Sequence, residues 1–304
     1  MPKPNQKFPT TKQEFKRRFT DEETCLEFLF QARWPNGFQC PTCNWQANDS
    51  NSTRSITCPH CGHQTSLTTN TIMHGTKKSL SEWLLGLWWL TINESGASAK
   101  NLQRLLKLSS YQTAWTWLQK MRMAMGIADQ TLCQGVVEIG CRTVTPAWEG
   151  KEQTLILAAA EAILPSGITG RIRMTQINKL DAAEINSFLV NAVQSGSSII
   201  TPEETVYQSI DHAYITTQSF SNGNPHRPDE LLKSFEIWLN KVHRGAVSSK
   251  HIQLYLHEFC FRNNSALLPN QEAVFAALIR GVMYDKAKPY HALVASNSQG
   301  GFNE

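Results

Sequence analysis

The stretch "GVVEIGCRTV", residues 135–144, breaks with the helical period of the chain before it and reads as a strand rich in β-branched side chains. Two more strands follow, "TLILAAAEAI" (154–163) and "ITGRIRMTQI" (168–177), each set off by turn residues. Next come a helix, "DAAEINSFLVNAV" (181–193), a short buried strand, "SSII" (197–200), and three helices beginning near Asp229, Ser249 and Asn270. This order predicts an α/β domain over residues 131–285, a mixed sheet with flanking helices, and a flexible C-terminal tail over 286–304.

Strand, strand, strand, helix, strand and then helices is the order of an RNase H-like sheet. Phosphoryl-transfer enzymes of that fold place acids in the middle of the first strand, at the end of the fourth and on a late helix, where they converge on two metal ions about 4 Å apart. The late helix here is "LLKSFEIWLNKVHRG", residues 231–245. Leu231, Leu232, Phe235, Trp238 and Leu239 make its apolar stripe, and Lys233, Glu236, Asn240 and Lys241 fall on the other faces.

Working towards the N-terminus, four of the eight cysteines form two paired motifs, Cys40-x-x-Cys43 and Cys58-x-x-Cys61. Each pair curls around one ion with its amides towards the sulfurs, and two such knuckles complete a tetrahedral thiolate site for structural zinc. Disulfides are the wrong chemistry for a cytosolic chain, and a redox pair comes singly. His60 and His63 read as exposed polar residues, and Cys25, Cys133, Cys141 and Cys260 as buried small hydrophobes.

Thr20 and Glu23 read as a capping box for a helix leading into the ribbon, which together span 21–76; Ser79 and Glu82 repeat the device before "LSEWLLGLWWLTI". Two further helices, starting at Ser98 and near Ser109 or Ser110, are joined by a short polar turn. Over 77–130 this is the outline of a helix-turn-helix. Tyr111, Gln112, Thr116, Gln119, Lys120 and Arg122 on the second helix are the candidates to reach bases or phosphates, and Lys100, Arg104 and Lys107 to hold the DNA backbone. No acid occurs from Ser95 to Ala128. A solvated face rarely needs a single sign of charge, which favours double-stranded DNA over a plain helical bundle.

The total charge, +4, selects no partner, but residues 1–20 form a basic tail in which Glu14 is the sole acid among six lysines and arginines. The start of the chain has no apolar core, and the run "WLLGLWWLTI" is too short to span a bilayer, so the expected location is cytoplasmic with no membrane partner.

From about Arg17 to Asn264 the chain resembles the bacterial DDE transposases of insertion-sequence family 1595. The resemblance rests on "RWPNGFQCPTCNW", "CPHCGHQTSLTTNTIMHGTKKSLSEWLLGLWWL", "GASAKNLQRLLKLSSYQTAWTWLQKMRMAM" and "KSFEIWLNKVHRGAVSSKHIQLYLHEFCFRNN". It implies nucleoid association, binding of element ends through the ribbon and helix-turn-helix, and strand joining by an acidic triad. Homo-oligomers or other transposition-related proteins are the implied protein partners.

The departures fall at that triad. Val137 and Glu138 match the family's first-strand pattern, but Gly140 stands at the aspartate position and Cys141 at the acid that follows. Thr201 and Tyr207 match the flanks of the second position, where Pro202 stands; Ser234 and Phe235 match the third, where Lys233 stands. The expectation is a catalytically inactive, transposase-like DNA-binding protein, a regulator or accessory subunit, that takes no catalytic magnesium. One alternative is an active enzyme whose carboxylates have moved to Glu138, Glu203 and Glu236; another is a structural subunit that contacts proteins.

Overall fold

The computed structural model describes residues 7–47, 53–93, 96–145, 153–163, 168–218, 226–243 and 247–284. The tail expected over 286–304 lies outside them. The chain divides into two units, Met1–Ala128 with Pro269–Glu304, and Asp129–Leu268.

The first unit opens inside the expected basic tail with helix α1 (Lys12–Arg18), closed by a capping box between Thr11 and Glu14. Phe15 and Phe19, one turn apart, are buried and tie it down. Helix α2 (Glu22–Arg33) starts one residue later than its expected box: Asp21 accepts from the Thr24 amide, while the Thr20 hydroxyl donates to Asp21. An ionised side chain is the stronger acceptor for an orphan amide, so Asp21 displaces Thr20 as the cap. Strands β1 (Ser55–Thr57) and β2 (Gln64–Ser66) pair antiparallel. Helix α3 (Leu80–Ile92) has the expected Ser79–Glu82 box, and α4 (Ala99–Leu106) is capped by Ser98. A four-residue turn with Lys107 in the left-handed region (φ 51°) leads into α5 (Tyr111–Ala128).

The second unit is a five-stranded sheet of β3 (Val136–Val144), β4 (Thr154–Ile163), β5 (Ile168–Ile177), β6 (Ser198–Thr201) and β7 (Ile215–Gln218), in the order β5-β4-β3-β6-β7. The first three strands are antiparallel; β6 runs parallel to β3, and β7 parallel to β6. This is the mixed sheet expected, with an added edge strand, β7, too short and too exposed to show an alternating pattern. Helix α6 (Ala182–Ala192) covers one face, where Ile185, Phe188 and Leu189 meet Val137, Ile139, Leu157 and Ala159. Helices α7 (Arg227–His243) and α8 (Ile252–Ser265) cover the other, where Leu232, Phe235, Leu239, Leu256 and Phe259 meet Ile156, Ala158, Ala160 and Met174. Odd and even residues of β4 face opposite layers, as a pleated strand buried on both sides requires. Each fully buried Leu or Phe contributes about 2 kcal/mol.

Helix α9 (Gln271–Met283) belongs to the first unit, not to the sheet domain in which the sequence reading placed it. It packs on α5, α3 and α2, with the Phe275 ring stacked on Phe28 at 5.7–5.9 Å from Phe8 and Phe28. Gly281 makes the α5 contact possible, because a Cβ there would lie 2.1 Å from the Ala124 carbonyl oxygen.

Candidate functional site

The four cysteines converge as their spacing requires. Their sulfurs all lie within 4.8 Å of one another, with Cys40 to Cys61 and Cys43 to Cys58 each at 3.6 Å. A tetrahedron of zinc–sulfur bonds of about 2.3 Å has edges of about 3.8 Å, so the donor set and its spacing fit zinc. The two knuckles repeat one design. The amides of Asn44 and Gly62 donate to the carbonyls of Cys40 and Cys58 at 2.9 Å, and both residues have positive φ, 58° and 73°. The ribbon core is small, Phe38, Cys40, Ala47 and Cys58 backed by Trp34, Trp45 and Ile56. Burial opposes ionisation of Cys40, but the Cys43 and Thr42 amides and the neighbouring thiols outweigh it and hold its thiol below the ordinary value, while burial and the same neighbours push the Cys43 and Cys61 thiols up. His60 and His63 are exposed and outside this group.

Of the residues expected at DNA, Lys100, Arg104, Lys107 and Gln112 are exposed on α4, its turn and the start of α5, and Tyr111 is 55% exposed. Thr116 and Lys120 are half-buried on the same helix. Gln119 and Arg122 are not on that face, which corrects their assignment. Both are buried, and Arg122 donates to the Gln119 side chain and to the Ala97 carbonyl, holding α5 to the chain before α4. A helix of mixed apolar and basic residues does not declare which cations turn inward.

The third constellation is the set of triad positions. Val136, Val137 and Glu138 pair in parallel with Ser198, Ile199 and Ile200; Gly140 and Pro202 each lie two residues beyond the last of these pairs, Pro202 just past the end of β6. Gly140 is buried and faces the start of α7, not open space. A Cβ on it would lie 3.0 Å from the Pro228 Cβ and 3.4 Å from the His226 Nδ1. Lys233 is exposed on α7.

The carboxylates considered as substitutes are dispersed. Glu138 is 8% exposed and accepts from the Arg227 amide at 2.9 Å and from the Arg227 guanidinium, so it caps α7, with His226 Nε2 3.7 Å away. Glu236 faces Arg142 at 4.0 Å, and Glu203 is exposed. Among the described residues, the four cysteines are the one group of three or more His, Cys, Asp or Glu side chains close enough to share an ion. Tyr207, singled out in the sequence as a flank of the second triad position, has its hydroxyl buried without a hydrogen-bond partner, and that burial raises its pKa.

Comparison with known proteins agrees with this division of the chain. Residues 20–64 match the transposase zinc-ribbon domain family, and residues 141–264 match the ISXO2-like transposase domain family, beginning one residue after Gly140. A protein of Halobacterium salinarum described as an uncharacterized protein in transposable element ISH50 is 22% identical over 288 residues, covering 85% of this chain and 96% of that protein. No solved structure matches. Among the described residues no helix is long and apolar enough to cross a membrane. The ribbon and the sheet domain, matched separately and in the family's order, make the chain a member of the insertion-sequence 1595 transposase family.

Proposed function

We propose that the chain is a DNA-binding protein that keeps the transposase architecture without its strand-cutting reaction, acting as a regulator or accessory subunit. The observation that carries this reading is the contact at Gly140. Pro228 and His226 fill the space into which a first-strand carboxylate would project, and Glu138 is committed to capping α7 and pairing with Arg227. A carboxylate held by a guanidinium and a helix N-terminus already has its positive partners and is a poor ligand for a dication. Lys233 adds an ammonium where the family's mechanism needs an oxygen donor.

In this reading α4 and α5 are a helix-turn-helix that docks on double-stranded DNA with α5 in the major groove, and Lys100, Arg104 and Lys107 hold the backbone. The zinc ribbon is structural, no catalytic magnesium is taken up, and the partner proteins are further copies of the chain or other transposition-related proteins in the cytoplasm, at the nucleoid. The domain limits are those of the sequence reading, except that α9 joins the N-terminal unit.

The test is a strand-cleavage and strand-transfer assay on supercoiled and linear DNA with magnesium or manganese, beside a band-shift on the same duplex. Binding without nicking or joining is expected. Metal-dependent cleavage lost on changing Glu138, Glu203 or Glu236 to Gln would establish the displaced-acid enzyme instead. A chain that neither binds nor cuts would be the protein-contacting subunit.

A further inference from the structure

A groove of about 320 Å³ lies between the segment 74–78, which leaves the ribbon, and helix α5. Its floor is a pair of indoles, Trp83 and Trp117, stacked at 3.9 Å and 16°. The Trp83 Nε1 donates to the Thr76 hydroxyl at 3.0 Å, which fixes the 74–78 segment to that floor. Lys77, Lys78 and Lys120 stand around it.

These lysines are not equivalent. Lys78 is 3.3 Å from Glu82, a carboxylate that also closes the capping box of α3. Lys77 and Lys120 have no ion-pair partner among the described residues. Lys120 is half-buried in the groove wall, and its burial alone lowers its pKa. A partly desolvated ammonium without a counter-charge costs free energy unless an anion from outside meets it. The groove also borders the first turn of α5, an 18-residue helix whose amide end favours negative charge. The Thr116 hydroxyl is spent on the Gln112 carbonyl at 2.8 Å, and Thr113 offers a second hydroxyl on this wall.

We propose that this groove seats one backbone phosphate of duplex DNA between Lys77 and Lys120, with the Thr113 hydroxyl as a third donor, so that the exit of the ribbon and helix α5 grip the same strand. The inference rests on the DNA-binding reading and narrows it to one place. It assigns to 74–78 a part in DNA contact that neither charge runs nor helical spacing indicated. A free phosphate offers the same oxygens. Duplex is favoured because the groove adjoins the exposed Tyr111 and Gln112 at the start of α5.

The experiment uses the full chain and a fluorescein-labelled duplex of scrambled sequence, with binding followed by anisotropy over a series of salt concentrations. Lys77→Ala with Lys120→Ala should lower affinity on the order of tenfold and flatten the log K against log salt slope by about 0.9 units, the loss of one neutralised phosphate. Lys77→Arg with Lys120→Arg should keep the slope. Thr113→Asp, which leaves both lysines in place, should weaken binding in the same direction; near-ultraviolet circular dichroism from the Trp83–Trp117 stack checks the fold of each variant. If Arg104→Ala with Lys107→Ala weakens binding while the groove variants match the wild type, the groove proposal alone falls. A wild type that binds no duplex removes the DNA-binding reading and this proposal together. Calorimetric binding of sodium phosphate that needs Lys77 and Lys120, with the duplex slope unchanged in the groove variants, assigns the groove to a free anion and overturns the proposal.

Discussion

The ribbon and the sheet both bring residues from distant parts of the chain to one point, and they differ in what arrives. In the ribbon, Cys40 and Cys61 are 21 positions apart in the chain and their sulfurs meet at 3.6 Å. In the sheet, β3 pairs with β6 as far as Glu138 and Ile200, two residues before Gly140 and Pro202, and neither of those two side chains can hold an ion. Convergence of the backbone does not by itself bring a donor to the point of meeting. In the ribbon the ligands are also the core, since Cys40 and Cys58 are half of its four buried residues; in the sheet the core lies in the layers on either face.

The largest effect that could break this contrast is loss of the ribbon on metal removal. A strong chelator, or Cys40→Ser or Cys58→Ser, should unfold the ribbon, because structural zinc supplies about 10 kcal/mol or more of apparent folding free energy in such small domains. Zinc release followed colorimetrically beside circular dichroism checks this, and a folded metal-free ribbon would sink it.

Next in size is Glu138→Ala, which strips α7 of its cap and leaves Arg227 without its carboxylate. The expected cost is about 3 kcal/mol in urea unfolding. The sign is informative: removing one acid from a cluster of acids relieves repulsion, so a stabilised variant would mean that Glu138 belongs to an ion site after all.

Gly140→Asp should cost about 2 kcal/mol, since the new side chain must displace Pro228 or His226. Calorimetric titration with manganese should detect no added binding. Uptake of manganese by this single variant would show that the start of α7 yields easily. Smallest of all, Lys233→Glu on an exposed helical face should move the urea midpoint by the equivalent of about 0.5 kcal/mol or less. A large shift would place Lys233 in a contact that its exposure denies.

What the sequence made legible follows the same divide. The paired cysteines were readable because a two-residue spacing leaves few conformations, and β3, β4 and β5 because each is a run of strand length set off by turn residues. Asp21 as cap, and burial of Arg122 and Gln119, were not, since competition between adjacent acceptors and the inward turn of a cation are decided by packing. Helix α1 hid among lysines that mask Phe15 and Phe19, and α9 carries an apolar face that names no partner. The groove at 74–78 was invisible for a related reason: its walls come from segments with no common pattern.

The glycine beneath Pro228 also imposes an order on change. An aspartate at 140 needs the Pro228 Cβ and the His226 ring to give way, and a change at 226 or 228 that makes this room keeps the Arg227 amide and guanidinium on Glu138. The cheaper order is therefore room at 226 or 228 first and the carboxylate second. The contact thus makes residues 140 and 228 a coupled pair, each setting what the other can become.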